Sequence, residues 1–382
     1  MGGSRFISST NPIKSPIRVY NLSDEVFSLS LLSQFSTSNP PYVDLSNTSA
    51  RMKYGNKKGT AVLGGPNRKD VYLIGGVQQD LALLNKVDNN ITVTSNQTLM
   101  IEEISKTYNA SNQFIYFYKS DAEFWSYPQI GMSPTRRRST STIIDENKIY
   151  IFGGRVHIDT GSPTFICYND LYTFDTVLLS WNKTNAANAP LPQSHAAPVL
   201  LLNGKILYIG GVSQTQPGFV AELIDMRNYA VLRNKSIIIQ PRVAHTATLT
   251  SDNNEIIIIG GVSSYGYNLT AVTPVFVSLN IATEPYEYSE LITFGSKPPS
   301  IAVHTANLYK NYIIVAFGNI TGNSAPPSEM SSRIYLLDMP CKTWVTTFTP
   351  GDSMDRVLTM GREYGLDKID TDKTKMPHEA PF

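Results

Sequence analysis

Four short apolar runs in this chain end in paired glycines: VYLIGG at Gly75 and Gly76, IYIFGG at Gly153 and Gly154, ILYIGG at Gly210 and Gly211, and IIIIGG at Gly260 and Gly261. A fifth run, IIVAFGN, is degenerate, with Gly318 read in the place of the first glycine. An unbroken series of β-formers describes a strand covered on both faces, unlike the alternating pattern of a half-exposed one. Glycine at its end suits a sharp turn beside neighbouring chain, where a Cβ would clash and positive φ is required. The first glycines stand 78, 57, 50 and 58 residues apart. That period excludes short solenoid repeats and fits radial sheet repeats of roughly 40–50 residues.

Other positions recur in step. After each glycine pair and a variable loop comes an apolar strand ending in Lys119, Asp175, Asp225, Asn280 or Asp338, followed six residues later by Trp125, Trp181, Val231, Tyr286 or Trp344. All three tryptophans share this register. A histidine, His195, His245 or His304, lies 14 or 15 residues before the glycines of three copies. Each unit reads as four strands: A after the histidine, B ending in glycine, C ending at the aspartate, and D starting near the tryptophan. From about residue 50 to 350 this resembles the kelch repeat. The resemblance implies an all-β kelch β-propeller, read here as six blades with an incomplete first blade. Complete blades span about 51–128, 129–184, 185–236, 237–295 and 296–350. Residues 1–50 hold the incomplete blade, with its C and D strands near 24–46, from either a truncated product or a segment that pairs irregularly. Residues 351–382 are expected to be a disordered polar tail.

The segments AVHTANLYKNYIIVAFGNIT and RIYLLDMPCKTWVTTF resemble those of fungal galactose oxidase-like kelch proteins. That resemblance implies, as an alternative function, a copper-radical oxidase of carbohydrate alcohols. Its site needs two tyrosines, two histidines and a cysteine–tyrosine thioether. The adjacent pair Cys167–Tyr168 does not match a cross-link between separate strands, and the histidine of a further C-terminal domain has no counterpart before the tail residue His378. Copper also needs converging ligands, and no Cys/His cluster appears. Equivalent histidines on neighbouring blades stand around a channel and read as structural. No P-loop, G-x-S-x-G or HExxH occurs. Neither catalytic residues, nor a metal site, nor a cofactor is expected.

The primary expectation is a non-catalytic scaffold for a protein or glycan partner. Strand direction places the B–C loops and D–A links at one end of the propeller, and binding residues concentrate on loops held by a rigid frame. Candidate contacts there are Arg137, Arg138, His157, Asp159, Arg242, Tyr265 and Tyr267. The B–C segment between about Val77 and Asn112 is the longest insertion. Net charge is +1 with 16% charged residues, which gives no basic field for nucleic acid. No apolar run reaches membrane-span length, and the first 20 residues lack the apolar core of a signal peptide. Nine N-x-S/T sequons nevertheless occur, at Asn21, Asn47, Asn90, Asn96, Asn109, Asn182, Asn234, Asn268 and Asn319. Chance gives about five. The excess and the resemblance point to a secreted or cell-surface glycoprotein. A monomer is expected. Cys167 and Cys341 belong to distant blades and are expected to be free thiols.

Overall fold

The computed structural model describes residues 4–6, 20–83, 106–108, 113–184, 188–217, 222–226, 231–232, 238–263, 270–322 and 330–351. Its regular structure is almost entirely β. The first sheet joins Thr60–Gly64, Asp70–Ile74, Ile115–Lys119 and Phe124–Ser126; the second joins Ser141–Asp145, Lys148–Phe152, Leu171–Asp175 and Ser180–Thr184. In both, the strands follow one another antiparallel in the order A to D. The third shows its inner pair, Ala197–Leu200 with Ile206–Ile209. The fourth has Thr246–Leu249, Glu255–Ile259, Phe276–Asn280 and Glu287–Glu290, and the fifth has Thr305–Tyr309, Tyr312–Ala316, Ile334–Asp338 and Thr343–Val345. The five A strands touch in succession. This is a β-propeller.

Packing runs from sheet to sheet around the ring. Tyr72, Phe114, Ile149 and Trp181 knit the first sheet to the second, and Phe152 meets Tyr208 at 5.0 Å or less between ring centroids (4.9 Å). Val199, Ile209, Ile256 and Tyr288 join the third to the fourth, and Ile257, Phe276, Ile313 and Trp344 join the fourth to the fifth. The N-terminal segment sits between the two remaining sheets. Its Phe27–Leu29 and Tyr42–Asp44 pair with each other. Phe35 packs with Tyr312, Ile314 and Phe348 of the last unit, whereas Val26 and Met52 pack with Leu73, Tyr116 and Trp125 of the first. A two-residue ladder, Phe35–Ser36 against Thr347–Phe348, fastens the ends together. Residues 352–382, where the tail is expected, lie outside the described residues.

Hydrogen-bond register corrects three sequence alignments. The ladder of the last unit pairs Thr305 with Ala316, so the glycine-pair positions are Phe317 and Gly318, with φ of +62° and +100°. Gly318 therefore takes the place of the second glycine, and Phe317 that of the first. At the first position elsewhere, a Cβ would strike the following blade: at Gly75 it would lie 2.6 Å from the Arg137 carbonyl oxygen, and at Gly210 2.6 Å from the His245 ring. The blade after Phe317 is the incomplete one, and there the aromatic ring stacks on Tyr42 at 6.1 Å. Secondly, Leu279 pairs with Tyr288, so Tyr288, only 1% exposed, fills the tryptophan position instead of Tyr286 because that C–D turn is two residues longer. Thirdly, Ala196 is the residue across from Gly210 that matches His245 and His304, which leaves His195 one position out of step. The tryptophans themselves hold their common register, pairing with Tyr118, Phe174 and Leu337. Trp125 and Trp344 donate their indole N–H to the preceding unit, at Ala50 and Thr293.

His245 and His304 are wedged against bare glycine backbone of the preceding blade, near Gly210 and Gly260. Thr246 Oγ1 lies 2.9 Å from His304 Nε2. Burial, reinforced by Arg242 and His304, pushes His245 down to about 3; burial pushes His304 down to about 4. Below about pH 6.5 the unfolded chain would take up protons that these folded rings refuse, so stability falls with pH by up to about 1.4 kcal/mol per unit for each histidine. Above that pH their contribution is constant. Urea denaturation is expected to give a flat stability above pH 7 and a decline from 6.5 toward 4, shallower in His304→Gln. An identical slope in that variant would contradict the assignment.

Candidate functional site

Beyond each glycine pair the chain folds back onto the link that precedes its own A strand. Gly55–Lys57 pairs with Val77–Gln79, Gln193–Ser194 with Val212–Ser213, and Ile301–Ala302 with Asn319–Ile320. Single bridges join Arg138 to Arg155 and Val243 to Val262. B–C loops and D–A links thus share one end of the propeller and are stitched into a second tier of small sheets. At the opposite end the A–B turns are tight, as at Glu146–Asn147 and Lys310–Asn311.

The channel opens onto the loop end through a ring of residues two places before each A strand: Lys58, Ser139, His195, Ala244 and Val303, with φ between +55° and +63°. Left-handed backbone is uncommon for residues other than glycine, and holding it at five equivalent points requires surrounding structure. Part of that support is a chain of inter-blade hydrogen bonds. The N–H of Ser139 donates to the Lys58 carbonyl at 3.1 Å, His195 to Ser139 at 3.0 Å, and Val303 to Ala244 at 2.8 Å. Farther in, side chains including Ile143, Pro198, Leu200, Ala247, Leu249 and Leu308 line an apolar cavity of about 250 Å³.

Charge gathers at one side of this mouth. Arg138 and Arg155 exchange backbone hydrogen bonds of 3.0 and 2.9 Å, and Arg138 Nε lies 3.1 Å from Asp159 Oδ1. Asp159 is carried by the short 3-10 turn Ile158–Thr160, closed by the His157 N–H donating to Thr160 Oγ1 at 2.8 Å. The Arg155 guanidinium stands 5.1 Å from the centre of the Phe165 ring, which also meets the edge of His157. Burial and then Arg138 lower the Arg155 pKa to about 9. Lys58 is reached by solvent yet ringed by protein, and its pKa falls well below the ordinary lysine value through that enclosure and through Arg138, Arg155 and Lys57. Burial also lowers Lys57, Arg136 and Arg138. His195, beside Ser194 at 3.0 Å, is held well below its usual range by burial, Arg155, Lys58 and Arg138.

The seven candidate contact residues fall into three groups. Arg138, His157 and Asp159 meet in this charged corner. Arg137 and Arg242, only 2% and 0% exposed, point inward. Arg137 pairs with Asp170, donates to the Gly153 carbonyl and lies 3.7 Å from the Tyr168 ring centre. Arg242 repeats the device one blade-pair on, donating to the carbonyls of Gly260 at 3.2 Å and Pro274 at 2.8 Å. These two guanidiniums hold the glycine turns of their own blades. Arg242→Met keeps the bulk but strands two buried acceptors, and is expected to lower stability by about 1–3 kcal/mol in urea titration; no loss would show the bonds to be incidental. Tyr265 and Tyr267 lie outside the described residues. Among the sequons, Asn47 and Asn182 are exposed, Asn319 is half-buried, and Asn21 belongs to strand Tyr20–Leu22. Asn90, Asn96, Asn109, Asn234 and Asn268 lie outside the described residues. Lys57, Lys58, Arg155 and His195 were not legible as binding candidates, although RVHID directly after a glycine pair and KKG directly before an A strand place cations at repeat junctions.

The residues do not fit a copper-radical centre. His245 and His304 are lodged between blades, Cys167 Sγ lies 3.8 Å from Ser194 Oγ, and among the described residues no three His, Cys, Asp or Glu side chains converge as metal ligands. Cys167 and Cys341 are both free thiols, the first buried and the second half-buried. Among the described residues no helix is long and apolar enough to cross a membrane.

Comparison with known proteins gives a family and two likenesses. A family model described as the Attractin/LZTR1 beta-propeller matches residues 102–373. Over 99 residues the chain is 32% identical to the Rho GTPase-activating protein gacHH of Dictyostelium discoideum, a match that takes in 25% of this chain and 6% of that protein's length. The solved structure of YjhT superposes with a TM-score of 0.48 at 15% identity, covering 75% of this chain and 78% of that one.

Proposed function

Because the chain belongs to the Attractin/LZTR1 β-propeller family, we propose that it is a non-catalytic, kelch-type interaction scaffold that holds a protein or glycan partner on its B–C/D–A loop end. One observation carries this reading: the variable loops rise from a tier of small sheets that fixes them to every blade, while the opposite end has only tight turns. A surface of that kind is pre-organised, which reduces the entropy lost on binding. In the same reading the ring has six blade positions, the first held by the hairpin of residues 27–44, and the chain works as a monomer. Exposed Asn47 and Asn182 support glycan attachment in a secretory setting.

The test is paired capture with the purified chain from culture medium and cell-wall extract. Replacing residues 157–165 with a short Gly/Ser linker is expected to abolish recovery of a specific partner. Altering the opposite-end turn at Lys310–Asn311 is expected to leave it intact. Equal recovery by both variants would overturn the placement of the binding face.

A further inference from the structure

Three successive blade links and one B–C loop converge on the charged corner of the channel mouth. Lys57 and Lys58 come from the first link, Arg138 from the second, His195 from the third, and Arg155 from the strand just after the Gly154 turn. The arginines have partners, as described above; the cluster is short of matching negative charge. Among the described residues, Asp159 is the carboxylate that acts on Lys57, Lys58, Arg138 and Arg155 alike. Four permanently cationic types of side chain against one carboxylate leave a surplus of positive charge in a partly enclosed wall, where it is costly and weakly screened. Concave walls of one sign also focus field toward an incoming counter-charge.

The backbone makes this corner rigid. The Lys58, Ser139 and His195 links are hydrogen-bonded in series, and Arg138 and Arg155 are locked in a mutual pair. Lys58, with φ of +59°, projects from the innermost ring and remains open to solvent. Phe165 and His157 form an aromatic flank against Arg155. A planar or tetrahedral oxyanion entering here would meet guanidinium donors that suit two-point contacts and a lysine that acts as a mobile point charge.

We propose that the channel mouth holds a binding site for an oxyanion, a carboxylate, phosphate or sulfate group, formed by Lys57, Lys58, Arg138, Arg155 and His195 with Asp159 orienting Arg138. The site lies on the face assigned above to partner binding and so rests on that reading for its biological use, but not for its chemistry.

Inorganic phosphate is the probe. In thermal unfolding against sodium chloride of equal ionic strength, phosphate is expected to raise the melting temperature of the wild-type chain. Lys58→Asn, a residue that tolerates positive φ, is expected to weaken the apparent phosphate affinity at least tenfold. No response beyond the chloride control, or the same response in the variant, would overturn the site. A second measurement needs no variant: acylation of Lys58 in the native protein, followed by mass spectrometry, is expected to slow several-fold in phosphate while exposed Lys205 is unaffected. Equal rates at Lys58 would also overturn it. Competition of phosphate with the captured partner would show that the anion belongs to the partner. Phosphate binding without competition would mark a free anion, and would leave the site standing even if the scaffold reading failed.

Discussion

Gly260→Ala is expected to destabilise the chain by about 2–5 kcal/mol, the sum of about 1–2 for a left-handed backbone and about 1–3 for overpacking. Gly260 has φ of +61°, and an added Cβ would run into the carbonyl oxygen of Ile301 and come within 3.0 Å of the His304 ring. The obstruction includes the backbone of the next blade, so no rotamer change relieves it, and the two blades must separate. Phe317→Ala supplies the control, because Phe317 occupies the equivalent position at φ of +62° but is 43% exposed beside the incomplete blade. There a Cβ is already accommodated and only the stack on Tyr42 is lost, so about 1 kcal/mol or less is expected. Equilibrium urea denaturation of both variants decides the matter. Comparable losses would mean that the glycine requirement is not a contact between blades.

The second large effect is expected at the closure. Phe348 has no exposed surface and lies 5.0 Å from the Phe35 ring and 5.1 Å from Tyr312. Phe348→Ala removes the buried ring from both sides of the ladder that fastens the ends, at an expected cost of about 3–5 kcal/mol. Local release should precede global unfolding, since the segment it holds is anchored by few ladder bonds. Limited proteolysis of the variant is therefore expected to cleave between residues 22 and 52 while the fourth and fifth sheets stay protected. Cleavage spread evenly over the chain would show that the ends are not an independent weak point.

The repeat was legible because its signals are local. A glycine pair after an apolar strand, an aspartate whose carboxylate caps the next turn, and a tryptophan starting the outer strand each reflect requirements within a few residues; Asp175 Oδ1, for instance, accepts the N–H groups of Val177 and Leu178. Register was less legible. Phe317, Tyr288 and Ala196 were misaligned because one or two extra turn residues shift every later position, and only the inter-strand hydrogen bonds count them. The arginines show the opposite failure. Arg137 and Arg242 lie in links that read as solvated loops, yet propeller links are packed between blades, so a long cation can bury itself by reaching glycine carbonyls that carry no side chain to block it. The charged corner was not legible at all, since its members are spread from Lys57 to His195 and meet only when three links are brought around a common axis.

The two-residue ladder between Phe35–Ser36 and Thr347–Phe348 also has a mechanical meaning. Tension drawn across it would load two residue pairs, against five between Lys148–Phe152 and Leu171–Asp175. Under such a pull the circle would part there first, like a bracelet at its clasp, while each sheet kept its own fold.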